Sequence, residues 1–343
     1  MKKMISSLLV CIMTIGCLTA CSNQSVQTNL ESATDNNLSI VCTIFPEYDW
    51  VREILGDHME HAEVTMLADN GVDLHSYQPT TDDIVKISSC DMFVYVGGLS
   101  DGWVEDALKE ATNKDMVVVN LMDILGDSVE EKEIVEGMEV HEHDHHHEEG
   151  AEHEEGTEHQ HEEGPIYDEH VWVSLKNAKV VCDHIGAKLG EIDSANAADY
   201  TSNANAYVEK LTALDESYQK TVDEATQKTL LFGDRFPFGY LVHDYGISYY
   251  AAFFGCSAET EASFETIAFL SKTVDELGLH TVLTIEDAQH TIAETIIQNT
   301  KEKNQQILSL NSMQSITSKD VENGVTYFSI MEKNLEVLKS ALS

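Results

Sequence analysis

The sequence predicts an α/β protein: two open parallel-sheet lobes joined by one long rigid helix. Three observations carry this expectation. Short apolar runs alternate with amphipathic stretches from residue 38 to about residue 120, and the alternation resumes from residue 228. Short, near-continuously apolar strands with helices between them indicate a parallel sheet covered on both faces. Between the two blocks, residues 193–227 contain neither Pro nor Gly and carry Tyr200, Tyr207, Leu211, Leu214 and Tyr218 at helical spacing. At ~1.5 Å per residue this is a rod of roughly 50 Å. No a/d heptad is sustained along it, so it reads as a connector and not as a coiled coil.

In the first lobe, residues 38–192, "LSIVCTIF" is a β-rich run and "PEYDWVREILG" an amphipathic helix entered at Pro46. "HAEVTML", "DMFVYVG" and "DMVVVNL" are strands; "TTDDIVKIS" and "GWVEDALKEAT" are the helices between them. In "PTTDDI", threonines precede two aspartates of a first helical turn, which is capping chemistry. The second lobe, residues 228–343, repeats the scheme. "KTLLFG", "ISYYAAFF", "HTVLTIE" and "QQILSL" are strands. "PFGYLVHDYG" and "SFETIAFLSKTVDELG" are helices ending at Gly246 and Gly278, "TIAETIIQNT" follows, and "YFSIMEKNLEVLKSAL" closes the chain.

The 343 residues are 42% hydrophobic and carry a formal charge of −41. Residues 139–163 contribute −11 of that, so the remainder of the chain still carries −30. An acidic body argues against nucleic acid or an anionic membrane as a partner for a basic patch. It suits small cations, and it is equally what a solvated acidic surface looks like.

Residues 1–20 read as a lipoprotein signal peptide. Lys2 and Lys3 precede "MISSLLVCIMTIG", an apolar run too short for an ordinary membrane span, and "LTAC" ends it with Cys21. Cys21 is expected to be the lipidated first residue of the mature chain; a plain secretory signal is the alternative. Residues 21–37 are a polar tether expected to stay disordered. Cys42, Cys90, Cys182 and Cys256 then remain, at spacings that match no zinc ribbon. An exported chain permits disulfides, and buried free thiols fit equally well.

Two histidines stand apart from charge runs. His75 lies in "GVDLHSYQPT", in the loop after a strand, where open α/β sheets bind ligands. His170 lies in "YDEHVWVSL", directly before a helix. Just upstream is "MEVHEHDHHHEEGAEHEEGTEHQHEEG", almost devoid of apolar side chains. Its His141, His143, His145, His146, His147, His153, His159 and His161 are internal and interrupted by acids, unlike an engineered tag. It is either a spacer or a flexible loop that gathers metal ions loosely through neutral imidazoles.

The blocks "TIFPEYDWVREILGD", "GVDLHSYQPTTDDIVKISSCDMFVYVGG", "YDEHVWVSLKNAKVV" and "NAYVEKLTALDESY" resemble those of the metal-specific solute-binding proteins of ABC transporters, the zinc- and manganese-uptake lipoproteins. The resemblance spans residue 38 to residue 343. It implies two α/β lobes joined by a long helix with the metal in the cleft between them, and a His-rich loop before the second ligand histidine in zinc-binding members. It implies that His75 and His170 are metal ligands. At the third ligand position, three residues before the Phe of an "FGY" block, stands Arg235, which has no lone pair to give. Asp234 is the nearest substitute. The fourth position falls on Asn311, and Glu259 or Glu261 of "GCSAETEAS" is a further candidate. Two imidazoles with a carboxylate suit Zn²⁺; more oxygen donors would favour Mn²⁺. The His-rich loop tips the expectation to Zn²⁺.

The resemblance further implies a monomeric receptor, lipid-anchored at the outer face of the cell membrane, that passes its ion to an ABC permease and its ATPase. No catalysis is implied, and no GxSxG nucleophile motif is present. A manganese receptor of the same family, or a surface adhesin on the same fold, is the alternative reading.

Overall fold

The computed structural model of the chain describes residues 37–139, 166–255, 261–286 and 289–343. The signal and tether, Cys21, the eight loop histidines, Cys256 and Glu259 lie outside the described residues.

The short apolar runs form two four-stranded sheets. The first contains β1 (Leu38–Cys42), β2 (Ala62–Met66), β3 (Met92–Tyr95) and β4 (Val117–Asn120). The second contains β5 (Thr229–Phe232), β6 (Ser248–Ala251), β7 (Thr281–Ile285) and β8 (Gln306–Leu310). All pairings are parallel. The order β2-β1-β3-β4 recurs as β6-β5-β7-β8, so the two sheets share a topology that the residues do not repeat. The strands can run this way because both faces are covered; in β7 all five residues of "TVLTI" are buried.

The helices of the first half are α1 (Phe45–Leu55), α2 (Thr81–Ser89), α3 (Val104–Lys109), α4 (Leu121–Leu125) and α5 (Leu175–Ile192). They are followed by α6 (Ala197–Glu224), α7 (Gly239–Tyr245), α8 (Phe264–Leu277), α9 (Thr291–Asn299), α10 (Ser318–Glu322) and α11 (Tyr327–Ala341). The capping expected in "PTTDDI" is a reciprocal box: Thr80 Oγ1 accepts from Asp83 N and Asp83 Oδ2 accepts from Thr80 N.

Helix α6 has 28 residues and buries Tyr200, Ala204, Tyr207, Leu211, Leu214, Tyr218 and Val222 along one stripe. It touches a helix of each lobe. Asn203 Nδ2 donates to Ile54 O of α1 (2.9 Å), and Tyr218 Oη to Met331 O of α11 (2.6 Å). The 18-residue α5 packs along it. Gly186 sets their separation, since a Cβ there would come 2.8 Å from that of Ala204. Cys42, Cys90 and Cys182 are free and buried. Among the described residues no helix is long and apolar enough to cross a membrane.

The closing helix returns to the first lobe. Tyr327 N at the start of α11 donates to Asp49 Oδ2 of α1 at 2.8 Å. Burial pushes the Asp49 carboxyl up to about 7, against the lowering effect of that amide bond; Glu53 raises it further and Arg52 lowers it. Cys182 of α5 and Tyr207 of α6 also face it. An acid whose folded pKa lies above its unfolded value binds its proton more readily when folded. Its contribution to stability is therefore complete below pH ~4 and is lost as pH rises through about 7. Over that window the loss is at most roughly 4 kcal/mol. Asp49→Asn keeps an acceptor for Tyr327 N and removes the titration. It should raise stability at pH 8 by roughly 1–3 kcal/mol and change little at pH 4. Urea melts at the two pH values decide this, and an equal effect at both would refute it.

Candidate metal site

His75 sits in a 3-10 turn, Leu74–Ser76, in the loop that follows β2. Leu74 is buried and pins the turn, while Asp73 Oδ1 accepts from His75 N at 2.8 Å. His170 immediately precedes another 3-10 turn, Val171–Val173, all of whose residues are buried. The strand-like pairing of Glu131 with Tyr167, and the bond from Asp168 N to Glu130 O (2.8 Å), fix the approach to it. Asp168 Oδ1 then accepts from His170 N at 3.1 Å. Each histidine thus follows by two residues an aspartate that accepts its backbone N–H, an Asx-type turn.

These turns bring the two rings together through their Nε2 atoms, with the ring planes tilted by 58°. His75 Nε2 and His170 Nε2 are 3.1 Å apart, and the ring centroids 5.1 Å. The opposite nitrogens are held by acceptors. His170 Nδ1 donates to Asp168 Oδ1 at 2.6 Å. His75 Nδ1 donates to Ser100 Oγ at 2.7 Å and lies 3.2 Å from Glu169 Oε2. Ser100 passes the interaction on, with Oγ 2.5 Å from Glu169 Oε2 and its amide 2.8 Å from Oε1. Gly98 makes room for this carboxylate: its φ is +78°, and a Cβ would come 2.5 Å from Glu169 Oε1.

Both carboxyls are held below their ordinary values. Burial works against the charge on Glu169, but the bonds from His75 and from the hydroxyl and amide of Ser100 outweigh it and hold the group at about 2. Burial opposes the charge on Asp168 too, and His170 lowers it below its ordinary value. An ionised carboxylate only accepts, so it keeps a proton on each Nδ1 and leaves a lone pair on each Nε2. Two lone pairs 3.1 Å apart repel unless a proton or a cation lies between them. Two nitrogens of a tetrahedral zinc at ~2.05 Å stand about 3.3 Å apart, close to the spacing found.

The other expected ligands have backbone partners. Asp234, after β5, accepts from Arg235 N (2.8 Å) and Ile285 N (3.2 Å), which ties the ends of β5 and β7 together. Asn311, after β8, accepts from Met313 N at 2.7 Å and shapes a turn in which Met313 has φ +67°. Arg235 Nη1 lies 3.8 Å from Asp73 Oδ2. Glu261 is exposed. Among the described residues no three His, Cys, Asp or Glu side chains are grouped to hold a metal ion.

Sequence reasoning missed Asp168, Glu169 and Ser100 as the groups that orient the rings. The two D-x-H spacings, Asp73 to His75 and Asp168 to His170, were the available signal. It also missed Glu286, whose carboxylate takes Ser312 N and Ser312 Oγ (both 2.6 Å) and Gln314 N (3.2 Å), fixing the loop after β8. An open cavity of about 640 Å³ borders Asp168 and is lined by Glu130, Phe236, His243 and Tyr249; His75 and His170 do not line it.

The family described as "ZnuA: Zinc-uptake complex component A periplasmic" matches residues 40–341. The zinc-binding protein AdcA of Streptococcus pyogenes serotype M6 is 30% identical over 305 residues, 89% of this chain and 56% of the relative. The zinc-binding lipoprotein AdcA of Streptococcus pneumoniae serotype 4 is 32% identical over 343 residues, 99% of this chain and 61% of the relative. This chain therefore spans little more than half the length of these relatives. The high-affinity zinc uptake system protein ZnuA of Bacillus subtilis is 30% identical over 326 residues, 94% of this chain and 93% of the relative. Among solved structures, the Zn(II)-bound ZnuA-like domain of Streptococcus pneumoniae AdcA superposes with a TM-score of 0.67 at 27% identity. It covers 89% of this chain and 99% of that domain. With two like parallel sheets, a facing histidine pair and a family match over nearly the whole described region, the chain belongs to the zinc-uptake complex component A family.

Proposed function

We propose that this chain is the extracytoplasmic receptor of a zinc-uptake ABC transporter, and that His75 and His170 are two of its metal ligands. The observation that carries the reading is the pair of Nε2 atoms 3.1 Å apart, each on a ring whose Nδ1 is held by an acceptor. The carboxylates behind the rings raise their basicity and fix their direction, as second partners of metal-bound histidines do. The printed names of the AdcA and ZnuA relatives support zinc as the cargo. In this reading the ion passes to a permease and its ATPase, Cys21 carries the lipid that keeps the receptor at the membrane, and the eight-histidine loop gathers ions loosely.

Metal analysis tests the cargo. The purified mature protein, dialysed against equal Zn²⁺ and Mn²⁺, should retain zinc at its tightest site. Preferential retention of manganese would overturn the choice of metal, and retention of neither would overturn the receptor. Cys21→Ala tests the anchor: it should shift the protein from the membrane fraction to the medium, since stable attachment needs covalently attached acyl chains. A variant that stays with the membrane would place the attachment elsewhere.

A further inference from the structure

Two buried acids near the support of His75 each keep an oxygen that meets no donor. Helix α1 brings Glu47, fully buried, to the carboxyl end of β1. Its Oε2 accepts from Thr43 N (2.8 Å), Thr43 Oγ1 (2.9 Å) and Ile44 N (3.2 Å). The loop after β3 brings Asp101, 3% exposed, whose Oδ2 accepts from Gly97 N at 2.9 Å. Glu47 Oε1 and Asp101 Oδ1 are both buried without a hydrogen-bond partner among the described residues. The sheet sets the two carboxyls at neighbouring strand ends. β1 and β3 are paired with Cys42 opposite Val94, and Thr43 N is shared between Val94 O (3.1 Å) and Glu47 Oε2. Glu47 therefore lies against the end of β3, just before the Gly97 amide that Asp101 takes.

Buried polar atoms of native proteins are nearly always paired, and an ionised carboxylate can only accept. Two ionised groups here would set like charges against each other in a medium that screens little. One proton resolves both problems: a neutral Glu47 has an O–H to give at Oε1 while Oε2 keeps its three donors. We propose that Glu47 is held as the neutral acid, donates to Asp101, and so latches to α1 the loop that orients the His75 ring. The surroundings decide which acid keeps the proton. Burial, and then the charge of Asp101, push Glu47 well above its ordinary value against the bonds from Ile44 and Thr43. Burial raises Asp101 to about 6; Gly97 N and His75 lower it and Glu169 raises it. The other titratable groups facing the pair are Cys42 on β1, Tyr77 after the His75 turn and Tyr95 on β3, each raised by burial and so neutral at pH 7. Asp101 directly follows Ser100, whose Oγ lies 2.7 Å from His75 Nδ1 and 2.5 Å from Glu169 Oε2. A loop tied down at Asp101 keeps Ser100 in that place, which makes Glu47 and Asp101 positioning residues. That the latch serves zinc rests on the receptor reading.

Infrared spectra of the metal-free mature protein at pH 7 should show the C=O stretch of un-ionised carboxyls, shifted in D2O. Glu47→Gln should remove one component of it. Asp49, raised by burial to about 7, gives a component of its own that Asp49→Asn identifies. Glutamine keeps an acceptor for Thr43 and Ile44 and supplies an N–H to Asp101. The pH dependence of stability gives a second reading of the proton. An acid with a raised folded pKa loses its contribution as pH climbs above its unfolded value. Urea midpoints of Glu47→Gln and wild type should therefore agree at pH 4, with the variant the more stable at pH 8. An unchanged spectrum in Glu47→Gln, or a wild type that gains on the variant as pH rises, would overturn the neutral acid. Competitive zinc titration at pH 7 reads the latch. Glu47→Ala, or Glu47→Met if the alanine variant does not fold, should weaken the tightest site by roughly tenfold. Glu47→Gln should stay within about threefold of the wild type. Loss in both, or in neither, would overturn the positioning role and leave the receptor standing. A wild type without tight zinc would overturn the receptor and the positioning role together, while the spectra and urea midpoints still decide the proton.

Discussion

Replacing His75 and His170 together by alanine should remove the proposed tight zinc site. The two imidazole nitrogens converge at 3.1 Å, and among the described residues no three ligating side chains are grouped elsewhere or here. At roughly 3–4 kcal/mol per ligand, by division of the affinity of a four-ligand structural site, each loss weakens zinc by more than about a hundredfold. The cost to the fold differs between the two. His75 is partly exposed, and its removal leaves Glu169 bonded to both the hydroxyl and the amide of Ser100. His170 is fully buried, and its loss strips Asp168 of a ring partner at 2.6 Å. That leaves a buried carboxylate short of a donor, at a cost of about 1–3 kcal/mol. His75→Ala alone is therefore the cleaner test of binding, and the double variant the more complete one. Deletion of residues 139–163 supplies the companion measurement, because both histidines lie outside it. The deletion should lower the number of ions bound at saturation and leave the tightest site nearly unchanged. Calorimetric titration of the wild type, of these variants and of the double variant lacking the loop reads both quantities. Wild-type affinity in the double variant lacking the loop would sink the ligand assignment; loss of the tightest site on deletion alone would mean that the loop supplies a ligand.

The sheets were legible because buried parallel strands announce themselves as short apolar runs between helices. The identical strand order of the two lobes was not, since it lies in connections that residues such as "TVLTI" and "LSIVC" do not encode. The long α6 was readable from its Tyr and Leu spacing. Its partner α5 was less so, because Gly186 looks like a weak point in a helix and is in fact the place where two helices touch. His75 and His170 were found through their loop positions and block resemblance. What orients them was hidden in common turn chemistry: an aspartate two residues before a histidine reads as a cap until the ring is seen to return to it. Asp234 and Asn311 stand at strand ends where ligands often occur, yet their oxygens meet backbone amides, a choice that only the tertiary path of β7 and of the turn at Met313 decides.

Trp172→Ala should be among the most damaging single changes to the fold, and it should loosen the metal site as well. The indole is fully buried and lies 5.2 Å, ring to ring, from His170. Its Nε1 donates to Ser312 O across the lobes at 2.8 Å, and its own carbonyl accepts from Tyr327 Oη of α11 at 2.8 Å. Ser312 cannot readily follow a retreating partner, because Glu286 grips both its amide and its hydroxyl. Truncation to alanine therefore leaves a cavity that collapses poorly, at a cost of about 3–5 kcal/mol. It also leaves Ser312 O without its donor. Trp172→Phe separates the two effects: it retains much of the apolar volume and loses the hydrogen bond, so its cost should be smaller, about 1–2 kcal/mol. Freed from the indole, the His170 ring should lose its fixed direction and zinc affinity should fall by roughly 10–100-fold, as when an orienting partner of a ligand is removed. Urea unfolding of the metal-free proteins gives the first quantity and competitive zinc titration the second. A Trp172→Ala protein within about 1 kcal/mol of the wild type would show that the indole is not the joint between the lobes. Unchanged zinc affinity in a clearly destabilised variant would show that the histidine pair is held by Asp168, Glu169 and Ser100 alone.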